Sequence, residues 1–280
     1  LADAPHPQLL QSEAQLAVAR AEQALADSLD DVRVTLEGVL RSGRNRLTDD
    51  KFEPDNQLRL NLRKSLWDGG RASASIDAAR LDRIGREALL MEARAQRRLE
   101  LMARFFDVLL ADLQYTADNE MMAVSYVAWD NASERHQLGE LSKPALAEIE
   151  SRFQDMRVRR NESLRRAKEK RAQLANAMNR PGDLPAELED PMLASNDRPL
   201  PEFDLLWRKV ESQNPRLMAQ RQALAASAKR LEALRGETLP NIEFEAEAAA
   251  YTRDAYTRDD LRAGFNLTWP FAVGGQSDAR

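Results

Sequence analysis

Cysteine is absent from the 280 residues. That excludes disulfides, thiolate metal sites and a lipid-modified N-terminal cysteine from this chain. Aromatic residues are scarce at 6%, while 31% of residues are charged, and there are only 11 glycines and 12 prolines. This is the composition of long, solvated helices rather than of a compact α/β enzyme core. No apolar run approaches the ~20 residues of a membrane-spanning helix. No leader peptide is visible in "LADAPHPQLL", and a mature chain would read the same way. The two histidines, His6 and His136, are far apart and lack ligand spacing. With no Ser/His/Asp set and no phosphate loop, the sequence offers no catalytic constellation, metal site or cofactor site. A net charge of −5 argues against a chain-wide nucleic-acid footprint. A transmembrane β-barrel stays open, because its alternating strands leave the mean hydropathy low.

What is present is periodicity, in two alternating kinds. Residues 8–29 predict a helix rich in Ala, Leu, Glu and Gln. The period then becomes two: Val32, Val34, Leu36, Gly38 and Leu40 alternate with Arg33, Thr35, Glu37, Val39 and Arg41. A polar loop is expected over 42–56. Leu58, Leu60, Leu62 and Leu66 then alternate with Arg59, Asn61, Arg63 and Ser65, Lys64 interrupting the apolar side. A β-hairpin over 32–67, with one apolar and one polar face, is the reading. After Gly69-Gly70 a three-four spacing runs from Leu81 through Met91, Leu99, Met102 and Phe106 to Leu113, a coiled-coil stripe with one stutter. No proline lies between Pro54 and Pro144, so a single helix over 71–138 would extend ~100 Å at ~1.5 Å per residue. Gly139, Ser142 and Pro144 supply a stop, a cap and a first turn. The next helix is expected to end near Asn179, and the proline-rich 180–201 is a connector.

The pattern then starts again. "NPRLMAQRQALAASAKRLEAL" (214–234) echoes "HPQLLQSEAQLAVARAEQAL" (6–25). A second hairpin is predicted over 241–271: Ile242, Phe244, Ala246, Ala248 and Ala250 alternate with Glu243, Glu245 and Glu247, and Leu261, Ala263, Phe265, Leu267 and Trp269 with Arg262, Gly264 and Asn266. Gly274-Gly275 follows it as Gly69-Gly70 follows the first. The organisation is a tandem repeat. Residues 1–205 hold helix, hairpin, long helical hairpin (71–179) and connector; residues 206–280 hold helix and hairpin, and break off where the second long helix should begin. The expected class is mainly α with a small β part.

These features, with the His6-Pro7 and Asn214-Pro215 helix starts and "LPNIEFEA" (239–246), resemble the TolC-like outer-membrane efflux proteins along essentially the whole chain. Ser65 departs from the pattern, standing where the second junction has Pro270. The resemblance implies an exit duct of a tripartite efflux or type I secretion system, in the outer membrane of a Gram-negative bacterium with its helices in the periplasm. It implies a homotrimer whose strands form one β-barrel in outer-membrane lipid. A periplasmic adaptor and an inner-membrane pump would be its partners, and nucleic acid would not. It makes Leu138, Gly139, Glu140, Leu141 and Ser142 an adaptor-docking tip, and Gly69, Gly70, Gly274 and Gly275 strand–helix junctions.

Other readings stand beside these. The hairpins also suit a soluble sandwich, although Trp67 and Trp269 at one end favour an interfacial position. Glu243, Glu245 and Glu247 suit a solvated, acidic pore lining with Arg262 and Asn266 near them, better than a cation site. The basic run 157–171 suits a solvated helix face, and 135–143 alone is an ordinary turn. A periplasmic adaptor or a soluble coiled-coil scaffold is the alternative function.

Overall fold

The computed structural model describes residues 5–45, 49–181, 188–189, 191, 199–252 and 258–270. In chain order come α1 (Pro7–Asp27), a 3-10 turn (Ser28–Asp30), β1 (Arg33–Val39), β2 (Ser42–Asn45), β3 (Asp49–Pro54) and β4 (Gln57–Trp67). They are followed by α2 (Arg71–Gln137), α3 (Lys143–Ala177), α4 (Phe203–Gln213), α5 (Pro215–Gly236), β5 (Asn241–Tyr251) and β6 (Leu261–Thr268). Two compact units result: residues 1–12 with 90–208, and residues 13–89 with 209–280.

In the first unit the later part of α2 and all of α3 form an antiparallel hairpin. Arg171 pairs with Asp112 at 2.6 Å and Lys170 with Asp107 at 3.0 Å. Nearer the turn, Trp129 stacks on Phe153 at 5.6 Å. The seam is built from Val108, Ala111, Ala132, Ala167 and Leu174, all buried. Alanines there let the helix backbones approach closely. The predicted stripe is a different row: Met91, Leu99, Met102 and Leu113 are exposed. Two apolar rows share α2, and the pairing with α3 uses the one with smaller side chains. Arg97 is buried and donates to the Ala177 carbonyl. Burial, with Arg97 adding to it, holds the His6 imidazole below its ordinary range.

The second unit joins a small helical layer to a sheet. α1, the start of α2 and α5 bury Leu16, Ala19, Ala74, Ala78, Ala219, Ala226 and Ala233. The sheet has the order β1-β4-β5-β6 with every neighbour antiparallel. Both predicted hairpins are therefore present, and β4 pairs with β5 to join them. The expected loop 42–56 contains a second ribbon, β2–β3. Apart from Phe52 it has no large apolar residue, so alternation carried no strand signal. Arg41 and Arg258 grip the Asp55 carboxylate, Arg258 at 3.0 Å, and tie the two hairpins together at this end. Helix α4 is also unassigned in the sequence reading. Its Phe203, Leu206, Trp207 and Val210 recur at helical spacing, and all are exposed.

Candidate functional site

The sheet is the first candidate. Register places Val34, Leu36, Leu58, Leu60, Leu62, Ala246, Ala248, Phe244, Ala263 and Phe265 on one face. The other face carries Arg33, Glu37, Arg59, Arg63, Glu243, Glu245, Glu247 and Arg262, with Thr35, Asn61 and Asn266 between them. A soluble sheet buries its apolar face. Here Leu36 is 68% exposed, Leu261 76% and Phe265 74%, and no layer of the described residues covers them. Phe244 and Phe265 touch across β5 and β6, with ring centroids 5.6 Å apart. Lys64, the one charged residue among the strand positions of this face, bends to the Asp30 carboxylate at 3.0 Å. Trp67 and Trp269 lie at the same end of the sheet, half exposed.

The five residues predicted to line a lumen share the polar face. Arg262 meets Glu247 at 3.1 Å. Arg63, from the first hairpin, meets Glu245 at 3.2 Å. The Asn241 amide donates to Glu243 at 3.0 Å, and Asn266 lies across from Glu243 in register. Arg63 was legible as a polar-face residue, but its carboxylate partner lay about 180 residues away in sequence. Only the β4–β5 register brings them together. Among the described residues no His, Cys, Asp and Glu group could hold a metal ion. No described helix is long and apolar enough to cross a membrane.

The turn between α2 and α3 is the second candidate. Gly139 has φ +76°, which a residue with a Cβ adopts only at a cost. The Glu140 N–H donates to the Arg135 carbonyl at 2.9 Å and the Gly139 N–H to His136 at 3.0 Å. These two bonds close a Schellman motif. Ser142 caps α3 by accepting from the Ala145 N–H, and Pro144 enters its first turn. The Leu141 carbonyl lies 2.7 Å from His136 Nδ1. The five predicted tip residues thus form one tight turn, with Leu138 and Glu140 exposed and Leu141 half-buried.

The junction after β4 is the third. Gly69 and Gly70 have φ +69° and +81°. A Cβ on Gly69 would come within 2.8 Å of Leu239 Cβ, whereas one on Gly70 would meet nothing. Gly236 closes the packing from the other side, its own added Cβ 3.3 Å from the Gly69 carbonyl oxygen. Asp68 starts α2 by accepting from the Gly70 and Ala72 N–H groups at 3.0 and 2.6 Å. In the sequence Leu239 stood out only as the start of "LPNIEFEA", and Asp68 and Gly236 did not; an Asp before Gly-Gly at a helix start was the available signal. Gly274 and Gly275 lie outside the described residues.

No protein-family model matches the sequence, and no curated protein sequence does. Solved structures do. Over 99% of this chain the backbone superimposes on CusC, a transmembrane channel, with a TM-score of 0.86 at 17% identity, covering 66% of CusC. VceC, an outer membrane protein of Vibrio cholerae, gives 0.84 at 14% identity over 99% of this chain and 68% of its own. The CmeC outer membrane channel of Campylobacter jejuni gives 0.81 at 15%, over 98% of this chain and 61% of its own. The fold is that of the TolC-like outer-membrane channels. This chain spans about two thirds of their length.

Proposed function

We propose that this chain belongs to an outer-membrane exit duct. It would be a passive conduit across the periplasm and outer membrane in a tripartite efflux or type I secretion system. The observation that carries the reading is the two-faced sheet: an uncovered apolar face, and a charged face fitting a watery lumen. Three copies would close their open edges, β1 to β6, into one barrel that leaves no unpaired strand. With four antiparallel strands per copy, the first and last run in opposite senses, so each join continues the antiparallel pattern. The exposed row Met91, Leu99, Met102 and Leu113 would be covered by further helices of that assembly. The chain itself would do no chemistry, and energy would come from an inner-membrane pump. Residues Leu138, Gly139, Glu140, Leu141 and Ser142 would meet a periplasmic adaptor. Glu243, Glu245, Glu247, Arg262 and Asn266 would face the lumen, and the glycine pairs would turn each hairpin into its helix. Residues 1–205 and 206–280 would be the two repeats.

Adjacent residues on β6 supply the test. Phe265→Arg puts a charge on the lipid face, at a cost of roughly 2–4 kcal/mol near mid-bilayer, and should prevent recovery of the protein in outer-membrane fractions. Asn266→Arg should leave membrane recovery intact. Equal recovery of both variants would favour a soluble sheet.

A further inference from the structure

From its sequence, the glutamate row of β5 reads as an acidic stretch of wall. The register gives a different sum. The strand positions of the polar face hold four arginines and four glutamates, a formal charge of zero. Glu245 and Glu247 each hold an arginine, one from the strand on either side. Resting on the channel reading above, we infer that Arg63 and Arg262 set the ionic selectivity of the conduit. They render the barrel wall neutral, so that anionic solutes pass it as readily as cationic ones.

The physical argument begins with spacing. Alternate residues of a strand lie about 7 Å apart, within the Debye length of about 8 Å at physiological salt. Three carboxylates so spaced in each of three copies would make a continuous negative belt. A low-dielectric wall focuses such a field into the lumen, concentrating cations and repelling anions. A guanidinium bound to a carboxylate converts that belt into short dipoles, whose field fades within the width of the wall. Folding does not explain the pairs. The Arg63 and Arg262 side chains are 64% and 67% exposed, and exposed ion pairs add little stability. Their positions on opposite sides of the glutamate strand do explain a neutral wall. The cargo class follows: a conduit open to solutes of either charge, rather than one filtering for metal cations or organic cations.

Reversal potentials in planar lipid bilayers under a KCl gradient test this on the full-length protein. The unmodified protein should reverse close to zero. Arg63→Gln and Arg262→Gln should each move the reversal toward the potassium equilibrium potential, and together move it further. The exchanged pair R262E/E247R should return to the unmodified value, a rescue that a folding defect could not produce. A reversal already near the potassium potential, unmoved by either variant, overturns the inference and leaves the channel reading standing. Absence of any conductance in the unmodified protein overturns the channel reading, and the inference with it.

Discussion

At the residue scale, glycine is used for two separable reasons. Gly139 is required by its backbone angle alone, since an added Cβ there would meet nothing. The end of α3 shows what substitutes for it. Asn179, at φ +58°, closes the same Schellman pattern through bonds from Asn179 to Asn176 and from Arg180 to Ala175, both 2.9 Å. Gly139→Asn should therefore be tolerated, while Gly139→Val should cost about 1–2 kcal/mol, measured by urea denaturation. Equal loss in both variants would mean that packing rather than φ decides. Gly69 adds a packing demand to the angle. Gly70→Ala should cost about 1 kcal/mol for its left-handed φ. Gly69→Ala should cost a further ~1–3 kcal/mol, because overpacking against Leu239 is added. If thermal unfolding ranks the two variants the other way, the close contact at the junction is not what the second glycine-helix packing rests on.

At the element scale, the long helix shows what was legible and why. The extents of α2 and α3, the turn at Gly139 and both main hairpins follow from periodicity and punctuation, which act over a few residues. The identity of the seam does not. Two rows of α2 are apolar, and the more hydrophobic one was the natural candidate, yet the structure buries the row with Val108 and Ala111. Helix proximity favours small side chains, and on the proposed reading the larger, exposed row would be covered by further helices of the assembly. Val108→Asp, at 0% exposure, should destabilise the hairpin by about 3 kcal/mol or more, as an unpaired buried charge does. Leu113→Asp, at 68% exposure, should change the stability of the hairpin by less than about 0.5 kcal/mol and instead weaken oligomer formation. Circular dichroism melts separate the first effect, and analytical ultracentrifugation in detergent the second. The β2–β3 ribbon and α4 were missed for opposite reasons. The ribbon has no apolar alternation to detect. Helix α4 has the right spacing but is short and adjoins a proline-rich connector.

At the scale of the whole molecule, the candidate site is partly a local and partly a long-range object. The turn at 138–142 was readable because its five residues are consecutive. The alternation of the sheet was readable because strand parity is local: Glu243, Glu245, Glu247, Arg262 and Asn266 do share one face. The charge balance of that face was not. It depends on β4 meeting β5, a pairing that joins residues 57–67 to 241–251 and that no short window encodes. The same long-range pairing makes one continuous apolar surface out of two hairpins, and that surface is the basis of the membrane reading. Its most direct test is spin-label accessibility along β6 of the protein reconstituted in lipid nanodiscs. Labels at residues 263, 265 and 267 should be quenched by oxygen, which partitions into lipid. Labels at 262, 264 and 266 should be quenched by a water-soluble nickel chelate. The account predicts this strict alternation with period two; uniform accessibility to the nickel reagent at all six positions would contradict it.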